Sequence, residues 1–298
     1  MKDIDLVIPM VFPEDPQWQE QYARYYGSRN NAVRMCRWRS WGTEELLVRC
    51  CQRYMPWLRR IYILLAGEGQ VQPWMRDCSF FGVTLIFHAD FIPKEHLPCF
   101  ASPCIEMFLD RIPGLSERFI YANDDMFPLS PMEEDDFFRD GLPCQHYFQR
   151  AYPGSANVFH RKCMYQQNMV GAPFGIRHRT VLLRNGHGFA PILKSSCHEI
   201  WRRHGQEILR CLSPLKRTDR SFNHYLYTLY QYFSGQYVDH VPRTQLITEE
   251  TPVGLLSAIV RDPHAGIVCF QDNAHTQDWE RRAEVLRREI EAKLIHNS

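Results

Sequence analysis

The sequence predicts an α/β fold on a mostly parallel, doubly wound sheet, and three observations carry that prediction. Apolar runs at residues 4–12, 60–67, 83–90 and 119–123 have the length and continuity of buried strands. Segments with helical periodicity and helix-start residues lie between them. Strands that are apolar throughout, rather than alternating, fit a sheet covered by helices on both faces.

The elements follow in order. IDLVIPMVF, residues 4–12, reads as the first strand, with Pro9 marking a bulge or edge position. Asp15 can cap a helix that begins near Pro16, because proline suits a first helical position. TEELLVRCCQRYMPWL, residues 43–58, follows as a helix with Thr43 as its cap; Leu46, Leu47, Cys50, Cys51 and Tyr54 form its apolar stripe. RIYILLAG (60–67) and VTLIFHAD (83–90) are the next strands. SPCIEMFLDRIPGL (102–115) reads as a helix with Ser102 as cap and Pro103 in its first turn, and FIYAN (119–123) as the strand after it. Residues 126–190 read as an irregular, strand-poor insert that carries the acidic run Glu133–Asp136, which suits a solvated helix start. From Pro191 the chain is expected to be helical. Tyr225, Leu226, Leu229, Tyr230 and Phe233 form a core stripe, and a last helix runs over about 278–295. The organisation expected is a nucleotide-binding core at 1–125, the insert at 126–190 and a mainly helical part at 191–298.

Composition narrows the function classes. A chain of 298 residues with 45% hydrophobic content can fill one large core. A formal net charge of +1 gives no sign of the basic surface that nucleic-acid binding requires. Eleven cysteines occur without any CxxC pair, so the paired-thiolate zinc pattern is missing, and reduced thiols in the cytoplasm are the simplest reading. His160-x-x-Cys163 and Cys197-His198 have no convincing ligand partners in sequence. The start of the chain does not read as a signal peptide, and no apolar run approaches the ~20 residues of a membrane span.

Chemistry concentrates where apolar runs end on polar residues. FIYANDDMFPLSP delivers Asn123, Asp124 and Asp125 to a loop that also holds Pro128 and Pro131. A turn explains this, and so does a metal- or phosphate-handling edge. The position favours the second reading, because ligands of such sheets bind beyond the strand C-terminal ends. AGEGQVQP, residues 66–73, puts Gly67 and Gly69 at the same edge, as a weak dinucleotide signal or a glycine turn near phosphate. GIVCF delivers Asp272 and Asn273 in the same way. With His198, Arg220 and Asn223 these residues could form one site. Carboxylates hold Mg²⁺ against phosphate, arginine takes phosphate on two prongs, and histidine or aspartate accepts a proton from an attacking hydroxyl.

Four blocks of the chain resemble the Stealth family of sugar-1-phosphate transferases. The first is IDLVIPMVFPEDPQW, residues 4–18, where Asp15, Pro16 and Trp18 fit, while Met10, Phe12 and Pro13 depart from the family's Trp, Asp and Gly. The second and most specific runs from RWRSWGTEELL through IYANDDMFPLSP, residues 37–131, with Ala101-Ser102 where the family has Asn-Ser. The third is SCHEIWRRH with RTDRSFNHYLY, and the fourth VCFQDN, with Gln271 in place of Asn.

The resemblance implies a nucleotide-binding, glycosyltransferase-A-like sheet with an added helical part. It implies transfer of a sugar-1-phosphate from a nucleotide sugar to a glycan hydroxyl, with a divalent cation, Mg²⁺ or Mn²⁺. It places Asp124 or Asp125, His198, Arg220 and Asp272 at active-site positions. The chemistry of the side chains then suggests His198 as base, Arg220 as phosphate clamp and Asp125 as a catalytic carboxylate, with an aspartate as base and His198 on phosphate as the alternative. Asp124 and Asp272 become metal ligands, and Asp15, Gly67, Asn123, Asn223 and Asn273 contact the donor. The expected partners are a nucleotide sugar and a glycan acceptor, with no nucleic acid. The expected location is the cytoplasm, compatible with peripheral attachment to the inner face of the membrane. A metal-dependent glycosyltransferase that releases nucleoside diphosphate and an inactive sugar-binding scaffold are the competing readings.

Overall fold

The computed structural model describes residues 3–26, 38–77, 82–215, 218, 220–272 and 276–296. Its centre is a five-stranded sheet. The strands are β1 (Ile4–Pro9), β2 (Arg60–Leu65), β3 (Val83–Phe87), β4 (Arg118–Tyr121) and β5 (Ala190–Leu193), in the order β5-β4-β1-β2-β3. The first four are parallel neighbours, as the apolar runs predict, and β5 is antiparallel to β4 at one edge. Helices cover both faces: α1 (Pro16–Tyr26), α2 (Glu44–Tyr54), α3 (Val158–Gly171), α4 (Lys194–Cys211), α5 (Tyr225–Phe233), α6 (Val253–Arg261) and α7 (Trp279–His296).

The period-2 alternation of β1 divides the core. Ile4, Leu6 and Ile8 face a cluster with Leu47 and Cys51 of α2, Ile267, and Leu286 and Ile290 of α7. Val7 faces the other, with Tyr62, Phe108, Ile200, Leu226 and Tyr227. At the bottom of the sheet the buried Asp5 accepts from Arg59 Nε at 2.9 Å, from Arg59 Nη2 at 2.6 Å and from Ser116 N at 2.8 Å.

A second sheet brings the C-terminal third back to the top of the first. Ile267–Phe270 runs antiparallel to Met126–Pro128 and parallel to Thr244–Ile247. Phe270 N donates to Asp125 O at 2.9 Å, which ties the strand before Asp272 to the loop after β4. Gly266 opens this strand at φ +70°, where an added Cβ would stand 2.2 Å from Arg243 O, so only glycine fits.

Several elements differ from the sequence expectation, each for a physical reason. The first strand stops at Pro9 because Phe12 N turns to the Gln70 side chain instead of the sheet. The helix expected over 102–115 is Ser102–Glu106 followed by a tight turn at Leu109–Arg111. The Met107 carbonyl is taken by Trp201 Nε1 and Tyr227 Oη, both at 2.8 Å, so the α-helical ladder is not continued. Thr43 precedes α2 but makes no side-chain cap. The stretch 126–190 contains α3 and the strands Met126–Pro128, Phe138–Arg139, Leu142–Gln145, Tyr147–Ala151 and Val181–Asn185, too short and too polar to show a period.

Candidate active site

Beyond the C-terminal ends of β1, β2 and β4 a cleft of about 390 Å³ opens, lined by residues from Pro9 to Leu286. Its carboxylates come from four segments. Asn123, Asp124 and Asp125 arrive from β4, Glu44 from the first turn of α2, Glu106 from the short helix, and Asp272 from the end of the second sheet.

The carboxylates are crowded. Burial, with the charges of Asp125 and Glu44 beside it, pushes Asp124 up to about 8. Burial also pushes Asp125 up to about 6; Asp272 adds to the rise, and a hydrogen bond from Cys269 partly offsets it. Burial and the neighbouring Asp125 hold Cys269 well above the usual thiol range, so it stays a thiol donor. The other Asp125 oxygen, Oδ1, is buried without a hydrogen-bond partner. Asn123 Oδ1 accepts from Tyr121 Oη at 3.1 Å. Potential ligand atoms of Asp125, His187 and Cys269 lie within 4.8 Å of one another. The protonated thiol serves Asp125 there, and the crowded oxygens are the part that suits a hard cation.

Two cationic side chains line the same space. Arg39 binds both oxygens of Asp272 and lies over the Trp279 ring at 4.8 Å. Lys162 of α3 is buried beside Glu106. Three histidines also line the cleft: His88, His187 and His224. Burial lowers His88 to about 4. It lowers His187 too, helped by the nearby His224 and Arg184. An aromatic wall of Trp18, Trp38 and Phe100 closes one side, Trp18 meeting the other two edge-on at 5.7 and 5.6 Å.

Of the residues singled out from the sequence, Asn123, Asp124, Asp125, Asn223 and Asp272 converge on the cleft. Others do not line it. Asp15 is used internally: its carboxylate accepts from Gln17 N and from Gln70 Nε2, both at 3.0 Å, and lies against Gly69. Gly67 begins the turn Glu68–Gln70 in extended backbone. His198 lies on the outer face of α4, its side chain 60% exposed and 3.5 Å from Asp110, because Cys197 and Ile200 take the inner face. Arg220 is exposed in the loop before α5, on the side of Glu207. Asn273, like Cys36 and Cys78, lies outside the described residues. The described cysteines are all buried free thiols.

Sequence reasoning missed Arg39, Glu44, Glu106, Lys162, His187 and His224. A signal existed for two of them. Glu106 is a lone carboxylate inside the apolar run CIEMFL, and a charge there needs a partner. His187 sits between glycines just before an apolar strand, a polar residue at a strand entry where Asp124 stands at a strand exit. Tyr225, read as core, lines the cleft instead.

Residues 37–145 match the family described as Stealth protein CR2, conserved region 2. A capsular polysaccharide phosphotransferase WcwK of Streptococcus pneumoniae is 30% identical over 277 residues, covering 82% of each chain. Another WcwK of that organism is 26% identical over 330 residues, covering 100% of this chain and 98% of the relative. Among solved structures, the galactosyltransferase LgtC in complex with donor and acceptor sugar analogs covers 95% of both chains at 14% identity, with a TM-score of 0.43.

Proposed function

The chain belongs to the Stealth family and is a transferase, and from that premise we propose that it moves a sugar-1-phosphate from a nucleotide sugar to a hydroxyl of a glycan. A UDP-N-acetylhexosamine is the donor type we favour. Nucleoside monophosphate is the released product, and a capsular or other surface polysaccharide is the destination. The supporting relatives are named as capsular polysaccharide phosphotransferases.

The observation that carries this reading is the crowding of Asp124, Asp125, Glu44 and Asp272 in one desolvated cleft, with Asp125 Oδ1 lacking a partner. Such a set is costly until a cation or donor enters. Asp124 and Asp272 would hold a divalent ion, with Asp125 beside them. Mg²⁺ or Mn²⁺ would neutralise the diphosphate of the donor. The chain's own side chains supply the rest. Lys162 gives the cleft positive charge, and in this reading it takes the phosphate role that the sequence assigned to Arg220; Arg39 would join it only where a cation at Asp272 releases its guanidinium. Trp18, Trp38 and Phe100 offer flat apolar faces for a base or sugar ring. Asn123 and Asn223 provide polar contacts to the donor.

Among the described residues no helix is long and apolar enough to cross a membrane. A cytoplasmic site of action, with peripheral attachment near the polysaccharide machinery, belongs to the proposal.

The test is a nucleotide-sugar panel with Mg²⁺ or Mn²⁺ and an acceptor glycan, with the released nucleotides separated by chromatography. Nucleoside monophosphate is expected. Nucleoside diphosphate would instead mean a glycosyltransferase, and donor binding without turnover a scaffold.

A further inference from the structure

Glu106 and His224 stand 118 residues apart in sequence and meet in the cleft wall. Both are buried, at 5% and 8% exposure. Glu106 Oε2 lies 2.7 Å from His224 Nδ1 and accepts from the His224 backbone N at 2.8 Å. The imidazole is held between rings, with Tyr121 at 4.6 Å and Tyr225 at 4.5 Å. Burial alone would push Glu106 up, but the charge His224 carries whenever it is protonated, the hydrogen bonds from both its N–H groups and the nearby Lys162 outweigh it and lower Glu106. Glu106 is therefore a carboxylate, and a carboxylate only accepts. The proton of a neutral His224 sits on Nδ1, which leaves Nε2 as an acceptor. Nε2 has no hydrogen-bond partner among the described residues. The adjacent Asn223, 7% exposed and also lining the cleft, has a buried Oδ1 without a partner.

Two acceptors side by side call for donors. An ionised phosphate has none to offer, whereas sugar hydroxyls do. We infer that His224, positioned by Glu106, takes the proton of the attacking glycan hydroxyl, and that Asn223 receives a second hydroxyl of the same acceptor sugar. This rests on the transferase reading above. In the step, the acceptor O–H proton passes to Nε2 and the oxygen forms a bond to the phosphorus that carries the donor sugar. The bond from that phosphorus to the bridging oxygen breaks, and the electron pair leaves with nucleoside monophosphate. Glu106 balances the imidazolium until it returns its proton to water. The exposed His198, beside Asp110, lacks such a setting.

The experiment has two arms on the full chain. In the first, ¹⁵N-histidine NMR without substrate reads the His224 tautomer, with His224→Gln used to assign the signal. The Nδ1–H form is expected in wild type and is lost or mixed in Glu106→Ala. A signal from the Nε2–H form would overturn the inference, even if the variants fold poorly. In the second arm, donor affinity by calorimetry is set beside single-turnover rates, using the UDP-sugar that wild type consumes. His224→Gln is expected to slow transfer by roughly 10²–10⁴-fold, the range for general base catalysis. Its donor Kd should stay within about threefold. Glu106→Gln should lower kcat by a smaller factor with donor KM unchanged, and Glu106→Asp should recover part of it. An equal loss of rate and donor affinity in His224→Gln would assign the residue to the donor sugar and overturn the inference. The transferase reading fails separately, on the identity of the nucleotide released by wild type.

Discussion

Arg39 grips Asp272 by both carboxylate oxygens, at 2.5 Å each, across 233 residues of sequence. The pair is partly buried, with 21% and 10% of the two side chains exposed, and it neutralises one of the cleft carboxylates. A divalent ion at Asp272 would do the same work. Arg39→Gln is therefore expected to lower stability by about 1–3 kcal/mol in chelator, the cost of leaving a charged acceptor unsatisfied. Mn²⁺ should then raise Tm more in the variant than in wild type. Equal shifts in a thermal melt would show that Asp272 lies outside the ion's reach.

The raised Asp124 gives a pH prediction with a definite sign. Its ordinary value is 3.8 and its folded value about 8. Protonated Asp124 is the form the metal-free fold prefers. The stability it contributes is full below about pH 4 and is lost as pH rises through about 8. Melts in chelator should show Asp124→Asn gaining on wild type between pH 5 and pH 8. Adding Mn²⁺ at pH 8 should stabilise wild type and not the variant. A wild-type-minus-variant difference that is flat with pH would contradict the half-buried, crowded placement.

Gly69 faces Asp15 so closely that an added Cβ would stand 2.6 Å from Asp15 Oδ1. The carboxylate cannot retreat freely, because Gln17 N and Gln70 Nε2 both hold it. Gly69→Ala should cost about 1–3 kcal/mol by overpacking. In an Asp15→Ala background the same change should cost much less, since the clash is gone. Additive effects in denaturant unfolding would mean that the two residues are not in contact.

Asp5 tests the division of the sheet into a structural bottom and a functional top. Its side chain is fully buried and Arg59 is 32% exposed. Asp5→Ala should cost about 3 kcal/mol, the low end for breaking a buried pair, because water can still reach Arg59. Activity per folded molecule should be unchanged. A variant that folds to wild-type stability, or one that is stable but inactive, would refute this division.

The parallel sheet was legible because β1, β2, β3 and β4 are apolar enough to be recognised alone; β1, β2 and β4 are buried along most of their length, as strands covered on both faces must be, while β3 is half-buried at the edge. Asp124, Asp125 and Asp272 were legible for the same reason: each follows a run whose strand character fixes where its end must lie. Glu106 and His224 were not, because their pairing depends on how the short helix Ser102–Glu106 docks on α5, which no local period encodes. The placement of His198 away from the cleft was not legible, because a histidine near a family block has no orientation until the helix face is known. Its neighbour Cys197 is fully buried while His198 points outward. The strands within 126–190 escaped because runs of two to five residues with mixed polarity carry too little pattern.

The fate of one phosphorus atom tests the central claim most directly. A nucleotide sugar is incubated with acceptor glycan, protein and Mn²⁺, and the phosphorus attached to the donor sugar is followed by ³¹P NMR. The account predicts that this phosphorus leaves the nucleotide and appears in a phosphodiester joining donor sugar to acceptor, in equal amount with nucleoside monophosphate. Its retention in released nucleoside diphosphate, with a plain glycosidic bond in the product, would contradict the account.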